Sequence, residues 1–412
     1  MYYISFIPFP YYSGMISIQI TIDNGNIAFE LLLIILYPII YWINGFESKT
    51  IKSCILFILI IIINYLLFTF TSLLLFFICY ELLLIILSFI LFLFIPSYYR
   101  IRTAFFFSLF SIFGSLLLLI SLIIFISTSF IITLLLIIPF IIKLPSFPFY
   151  YWLPEVHCEV NSSISLLLAG ISLKLSIYGI LRFIFTSFYI SCRFISSFFI
   201  SFSLIGIIIV CCSCFRYFDL KKIIALSSII HLNTAFISIY SLSSIGILST
   251  IIISLSHSIS SITLFLLTGL VINKTYSRYL DSLFFINSIL RGTLLLFILC
   301  NLSFPGSINF ISELIALIAF YSIDYLLIIL FIYSSFLSTF IWFIIYNKKL
   351  PYHSCYSLYI IHYMLFILFI IIIYIIGLFT IVIDQLVDQY IETNWSTSWS
   401  IYTIIIVIHY SE

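Results

Sequence analysis

Charged side chains are scarce in this sequence. Only 7% of its 412 residues are Asp, Glu, Lys or Arg, whereas 64% are hydrophobic, and the mean hydropathy is +1.35. Soluble globular domains carry about 25% charged residues, so the composition excludes that class of protein. The basic residues stand in short polar breaks, and the net charge of +2 does not indicate a nucleic-acid partner. We therefore expect a membrane protein that binds no nucleic acid.

Motifs that hold redox cofactors are also missing. The sequence has no CxxCH haem-attachment motif, no ferredoxin-like cysteine spacing and no dinucleotide-binding glycine loop. Nine cysteines are present, but the cluster of Cys211, Cys212 and Cys214 has no second cysteine pair or histidine beside it. This pattern favours buried apolar thiols over a metal site. We expect neither a cofactor nor a metal in this chain.

Long apolar runs fill most of the sequence. Runs of about 20 residues predict membrane-spanning helices, so the fold class is an all-α polytopic membrane protein. We predict about 12 spans in a transmembrane domain over 28–379, between a short N-terminal segment, 1–27, and a C-terminal tail, 380–412. Residues 1–27 lack the basic region and cleavage site of a signal peptide. The predicted spans are 28–46, 51–69, 70–94, 103–128, 129–149, 162–184, 195–215, 220–241, 243–272, 285–322, 325–347 and 358–379.

Loop charges predict the orientation of these spans. If the spans alternate, eleven basic loop residues lie on one face, and only Arg182 and Arg193 lie on the other. The basic face is the matrix side in a mitochondrion, so both termini are expected in the intermembrane space. A residue usage rich in Ile, Phe and Tyr suits an AT-rich organellar genome. The eleven are Lys49, Lys52, Arg100, Arg102, Arg216, Lys221, Lys222, Lys274, Arg278, Lys348 and Lys349.

Among the ionisable residues inside the predicted spans or beside their breaks, six are candidates for a functional site. A charge at mid-span, as at Lys174 or Glu81, costs on the order of 3 kcal/mol, which favours pairing or a hydrated path over snorkelling. A single histidine in a membrane helix is as readily explained by an interhelical hydrogen bond. The six are Glu81, Lys143, Lys174, His231, His257 and Glu313.

Two of the predicted spans are interrupted. The fifth is cut by Pro139 and Pro145, on either side of Lys143, and the tenth is broken at Pro305 and Gly306. Interrupted helices at corresponding places in two halves of a chain are typical of transport sites built from inverted repeats, because the breaks free backbone groups to meet water or ions. The sequence thus predicts an antiporter-like arrangement with two discontinuous helices.

Several segments together resemble the antiporter-like membrane subunits of mitochondrial NADH–ubiquinone oxidoreductase, respiratory complex I. They follow that family in order and spacing over roughly residues 20–380. Glu313 indicates the chain-4 branch, because sister subunits 2 and 5 typically carry Lys at its position. The segments are KLPSFPFYYWLPEVHCEV (143–160), LLLAGISLKLSIYGILR (166–182), FRYFDLKKIIALSSIIHLN (215–233), LSHSISSITLF (255–265), NKTYSRYLDSL (273–283) and NLSFPGSINFISEL (301–314).

The resemblance implies a proton-translocating subunit in the mitochondrial inner membrane. FMN, iron–sulfur clusters and ubiquinone are then expected in partner subunits. The expected partners are other membrane-arm subunits, including neighbouring antiporter-like ones, and lipids such as cardiolipin. Glu81 resembles the glutamate of the family's fifth helix but lies in the third span predicted here, so the resemblance also implies a missing N-terminal pair of helices.

The resemblance also implies a route for the proton. Glu81 would pair with Lys143, and the proton would pass to Lys174, through waters and one of the two histidines, and on to Glu313. When Glu81 moves away or is neutralised, the buried lysine releases its proton more readily. The residues expected to support this route are Lys222, His157, Glu159, Pro145, Pro305 and Gly306.

Three positions depart from the family pattern in the connector 150–161, which we predict to be an amphipathic stretch at the surface or in a cavity. They are Tyr150, Glu155 and Asn161, where the family usually has His, Lys and Pro. Two alternative functions remain open at this point. One is a stand-alone cation/proton antiporter, and the other is a structural subunit that does not pump.

Overall fold

A computed structural model gives the structure of most of this chain. The predicted span 358–379, the tail 380–412 and most of the N-terminal segment lie outside the described residues. The structure describes residues 24–347 except 48–50, 71, 95–99, 124–129, 185–188, 281–287, 322 and 324.

The described part of the chain consists of α-helices, with no β-strand in it, which confirms the predicted all-α class. In these residues, six helical stretches are long and apolar enough to cross a membrane, and six shorter apolar helices accompany them. The helices are α1 Asn24–Glu47, α2 Ile51–Thr69, α3 Leu73–Phe94, α4 Arg100–Ile123, α5 Phe130–Lys143, α6 Trp152–Glu159, α7 Ser162–Leu167, α8 Lys174–Gly179, α9 Tyr189–Cys214, α10 Leu220–Tyr240, α11 Ser244–Thr275, α12 Ser288–Asn301, α13 Ile308–Tyr321 and α14 Tyr325–Asn347.

The span 162–184 lies at the centre of the bundle. It contains α7 and α8, joined by a π-helical turn, Leu168–Ser172, and followed by a second one, Ile180–Ile184. Every residue over 162–180 is buried, the serines and the lysine included. Lys174 is therefore enclosed by protein on every side.

The first break follows Lys143, the last residue of α5. Two donors satisfy carbonyl groups that the broken helix leaves open. The indole Nε1 of Trp152 donates to the Ile142 carbonyl (3.0 Å), and the Ser146 N–H donates to the Ile141 carbonyl (3.4 Å). The chain resumes as α6, most of whose side chains are buried. The connector 150–161 is thus largely the second half of a broken helix.

Pro139 does not cut the helix, contrary to the sequence-based prediction. It lies inside α5, which continues to Lys143. In a membrane protein, groups on neighbouring helices can satisfy the backbone carbonyl that a proline leaves without a donor. Gly114 of α4 lies against Pro139, where an added Cβ would sit 3.5 Å from the proline Cα, so the two helices pack closely at this point. Of the two prolines predicted to cut the span, Pro145 alone lies in the break itself, where Pro148 also lies.

The second break agrees with the prediction at Pro305 and Gly306. Helix α12 ends at Asn301 and α13 begins at Ile308. Gly306 has φ = 98°, a conformation that only glycine adopts readily. The side-chain amide of Asn309 donates to the Cys300 carbonyl (3.0 Å), which satisfies an acceptor at the end of α12.

Replacing Gly179 by valine is expected to destabilise the fold. A Cβ at Gly179 would overlap the ring of Phe140, a fully buried residue of α5, and overpacking of this kind costs about 1–3 kcal/mol. The measurement is the temperature at which the purified protein in detergent unfolds. The control is Gly292→Ala, because nothing lies within 4 Å of an added Cβ there. An unchanged unfolding temperature in Gly179→Val would contradict the observed packing of α8 on α5.

Candidate functional site

Four of the six predicted residues form a line across four helices. Lys174 Nζ on α8 lies 3.2 Å from His257 Nδ1 on α11. The ring of His257 lies 5.5 Å from the ring of His231 on α10, measured between centroids. His231 Nδ1 is in turn 3.2 Å from Glu313 Oε1 on α13. We call these four residues the Lys174–Glu313 line.

A π-helical turn positions the lysine end of this line. In an α-helix the Leu173 N–H would bond to the Ala169 carbonyl, but here it bonds to the Leu168 carbonyl at 3.4 Å. The Ala169 carbonyl accepts a hydrogen bond from the Lys174 amine instead. The amine thus lies between a backbone acceptor and the His257 ring.

The line becomes less buried toward its glutamate end. Lys174 and His257 are 0% and 1% exposed, whereas the side chains of His231 and Glu313 are 13% and 15% exposed. Apolar walls strengthen the electrostatic coupling of the inner groups because they exclude water. An imidazole can accept a proton at one nitrogen and donate one from the other. The arrangement is therefore chemically suited to relay a proton.

The other two predicted residues, Lys143 and Glu81, lie apart from this line. The Lys143 amine is 3.9 Å from the centre of the Tyr80 ring. Lys143 Nζ and Glu81 Oε1 are both buried, and neither has a hydrogen-bond partner among the described residues. The predicted pairing is therefore not a direct contact in this structure, although Glu81 is close enough for its charge to act on the amine. The carboxyl end of α5 also favours a cation at Lys143.

A small cavity adjoins Lys143. Its volume of about 20 Å³ is enough for one water molecule. Ser172, two residues before Lys174, also lines it. No hydrogen bond joins Lys143 to Lys174 in the described ranges, so this cavity marks the gap between the first lysine and the line. The lining residues are Tyr80, Leu84, Phe107, Phe110, Ser111, Gly114, Pro139, Ile142, Lys143, Trp152 and Ser172.

The predicted supporting residues Glu159 and Lys222 lie in ion pairs at one end of the bundle. Glu159 Oε1 is 3.0 Å from Arg278 Nη1, and Lys222 Nζ is 2.9 Å from Glu155 Oε1. Burial lowers the pKa of Arg278, but its hydrogen bond to Glu159 and the nearby carboxylates raise that pKa by more, so the net direction is upward. Asp219, 3.9 Å from Arg278 Nε, was not predicted.

These ion pairs agree with the predicted arrangement of loops. They bring the end of α6 together with loop 215–219, which precedes α10, and loop 276–280, which follows α11. The charge pattern assigns both loops to one face. The backbone N–H of Leu220 donates to the Arg278 carbonyl (3.0 Å), and Lys221 Nζ donates to the Val160 carbonyl (2.7 Å). Two loops and a helix end that the alternation places on the same side are thus joined directly.

His157, a further supporting residue, lies outside the Lys174–Glu313 line. It is fully buried, and its ring stacks on Phe265 with centroids 4.7 Å apart. Within the part of the chain that the structure describes, neither ring nitrogen has a hydrogen-bond partner. The contacts observed therefore give it a packing role in the broken helix.

Two polar contacts near the second break were not predicted either. Asn301, the last residue of α12, is 1% exposed and lies 3.5 Å from Ser227 Oγ and 3.5 Å from Ser260 Oγ. These long hydrogen bonds connect the break to α10 and α11, the helices that carry the two histidines. No sequence signal separates Asn301 from other polar residues at a helix end.

The sequence matches a known family over most of the described chain. Residues 71–341 match the family described as "NADH:quinone oxidoreductase/Mrp antiporter, TM". A curated relative from Chondrus crispus, named NADH-ubiquinone oxidoreductase chain 4, is 31% identical over 350 residues, which are 78% of this chain and 69% of that protein. The protein of the same name from Prototheca wickerhamii is 31% identical over 73% of this chain and 62% of its own length. The resemblance to the chain-4 branch is thereby confirmed.

Solved structures show the same fold. A chain of respiratory complex I from Thermus thermophilus with bound NADH superposes with a TM-score of 0.79 at 19% identity, covering 88% of this chain and 82% of that one. A chain of the Mrp complex from Dietzia sp. superposes with a TM-score of 0.76 at 16% identity, covering 84% of this chain and 70% of that one. At these identities the likeness concerns the fold alone.

Proposed function

We propose that this chain, which belongs to the NADH:quinone oxidoreductase/Mrp antiporter transmembrane family, is a proton-translocating membrane subunit of mitochondrial complex I. It moves protons from the matrix to the intermembrane space. The observation that carries this proposal is the Lys174–Glu313 line, in which titratable side chains from four helices follow one another through the interior. A buried charge has a high cost in a membrane, and a passive helix bundle gains nothing from retaining it.

The proton enters the line from Lys143. While the Glu81 carboxylate is near, it stabilises the Lys143 ammonium. When that carboxylate is neutralised or displaced, the ammonium gives its proton to a water in the adjoining cavity. The water passes a proton to the neutral amine of Lys174. The water thus carries the proton between Lys143 and Lys174, two described residues that are not joined by a hydrogen bond of their own.

The proton then follows the line outward. The Lys174 ammonium donates to His257 Nδ1, which lies within hydrogen-bond distance. His257 releases a proton from its other nitrogen toward the ring of His231. His231 donates from Nδ1 to the Glu313 carboxylate. The more exposed position of Glu313 suits it to release the proton to water on the outer side.

Electron transfer occurs in partner subunits, which hold FMN, iron–sulfur clusters and ubiquinone. This chain carries no CxxCH motif, no ferredoxin-like cysteine spacing and no dinucleotide-binding glycine loop with which to hold them. Its neighbours are other membrane-arm subunits, including antiporter-like ones, and its apolar outer face contacts lipids such as cardiolipin.

Replacing Glu81 by glutamine tests this function. Gln keeps the shape of the side chain but removes its charge, so Lys143 loses the group that stabilises its ammonium. We expect fewer protons moved per NADH oxidised by the purified complex in vesicles, while NADH oxidation is partly retained. The control is Glu155→Gln, which removes a carboxylate of the surface ion pair with Lys222. Unchanged stoichiometry in Glu81→Gln would reject the role of Glu81.

A stand-alone cation/proton antiporter is the second candidate, because the family that residues 71–341 match also includes Mrp antiporters. The two functions predict different assemblies. A complex I subunit migrates on a native gel with a very large complex that oxidises NADH, whereas a stand-alone antiporter migrates without that activity. Migration apart from all NADH-oxidising activity would favour the antiporter.

A further inference from the structure

We propose that Tyr80 is a positioning residue that holds the Lys143 ammonium on its ring while that ammonium is separated from Glu81. The proposal rests on the function proposed above and adds to it a second binding position for the lysine. The geometry that carries it is the Lys143 amine 3.9 Å from the centre of the Tyr80 ring, in a buried site.

The ring takes the place of a hydrogen-bond partner. The amine has no hydrogen-bond acceptor among the described residues, and Lys143 is only 7% exposed. A buried ammonium with no partner is strongly disfavoured. The face of an aromatic ring attracts a cation, most strongly when both are removed from water. Tyr80 is 1% exposed, so this contact is desolvated.

The Tyr80 ring is fixed in place by other aromatic side chains. Phe76, one turn earlier on α3, stacks with it at 6.1 Å between centroids, and Phe140 of α5 meets it edge to face at 6.4 Å. Both phenylalanines are fully buried. The ring is therefore a preformed binding surface that stays in position when the lysine arrives.

The order of residues on α3 gives the lysine two neighbouring positions. Tyr80 precedes Glu81 directly, so the two side chains leave α3 about 100° apart, and a change of rotamer in the flexible lysine side chain exchanges carboxylate for ring. The position on the ring lies beside the cavity that Ser172 also lines. The ring thus holds the ammonium beside the cavity on the side toward Lys174. In this position the ammonium is away from the Glu81 carboxylate, which favours the protonated lysine.

Tyr80→Leu and Tyr80→Phe in the assembled complex test this proposal. Leucine removes the aromatic face, whereas phenylalanine keeps it and removes only the hydroxyl. The quantity compared is NADH-driven proton translocation in vesicles. For wild type and for each Tyr80 variant, it is expressed as the difference from Glu81→Gln. We expect Tyr80→Leu to reduce this difference by about tenfold, the order by which a desolvated cation–π contact shifts an equilibrium. We expect Tyr80→Phe to retain it.

The outcomes separate this proposal from the function on which it depends. If wild type and Glu81→Gln translocate equally, the proposed function fails. If they differ but Tyr80→Leu equals wild type, only the role of Tyr80 fails. An equal loss in Tyr80→Phe and Tyr80→Leu would also overturn that role, because the ring would then not be the reason. If Tyr80→Leu does not assemble, Tyr80→Met removes the ring with an unbranched side chain, and the same comparison with Tyr80→Phe applies.

Discussion

Replacing Lys174 by methionine is expected to remove proton translocation through this chain and to leave the subunit assembled. Methionine has a similar length and no charge. The Lys174 amine both accepts protons that arrive from the cavity and donates them to His257, so the substitution removes both roles at once. Because the fully buried amine has a large desolvation cost, an apolar replacement does not destabilise the bundle. The measurement is protons moved per NADH by the complex in vesicles, and we expect a larger loss than in Glu81→Gln.

Arg102→Met is the control for this substitution. It also replaces a cation by methionine, but the Arg102 side chain is exposed on α4, near the ring of Phe106. We expect wild-type stoichiometry in this variant. If Lys174→Met pumped as wild type while the complex remained intact on a native gel, the Lys174–Glu313 line would not be the proton path.

Hydropathy and sequence motifs account for most of the fold. The predicted span 162–184 agrees with the observed π and α segments at both ends, because an apolar run of that length has to form its hydrogen bonds internally in a membrane. The break at Gly306 was predictable because a proline–glycine pair stops a helix. The error at Pro139 arose because proline is tolerated within membrane helices that have close neighbours.

The contacts of the site were only partly predictable. Mid-span position identified Lys174 and Glu81 as candidates, but it contains no information on distance between helices. The π-helical turn Leu168–Ser172 adds a residue to one turn and so rotates all later side chains by about 100° relative to an α-helix. No periodicity in the sequence indicates this turn. The contact between Lys174 and His257 depends on it, and hence emerged only from the structure.

The lysine at the first break shows a second limit of sequence reasoning. Its pairing with Glu81 was expected because opposite charges attract in a low-dielectric interior. The structure places the amine on the ring of Tyr80 instead, a residue that hydropathy treats as one more aromatic in an apolar run. Charge complementarity predicts which groups interact across a cycle of states. It does not predict which of these groups the lysine amine contacts in one particular state.

Replacing His257 by leucine is expected to interrupt the line between its two ends. Lys174 then faces an apolar side chain, and His231 and Glu313 are separated from it. We expect a loss of proton translocation as large as in Lys174→Met, because both variants break the same path. His157→Leu is the matched comparison, since His157 is equally buried but stacks on Phe265 outside the line. We expect His157→Leu to lower the unfolding temperature and to leave the number of protons moved per NADH close to that of wild type.

The double variant Lys174→Met with His257→Leu gives the sharpest form of this test. Two residues that act in series on one path give no further loss when both are removed, whereas residues on independent paths give additive losses. We therefore expect the double variant to translocate as many protons per NADH as either single variant. Additive losses, or wild-type stoichiometry in His257→Leu, would show that protons pass from Lys174 by a route that does not include the His257 imidazole.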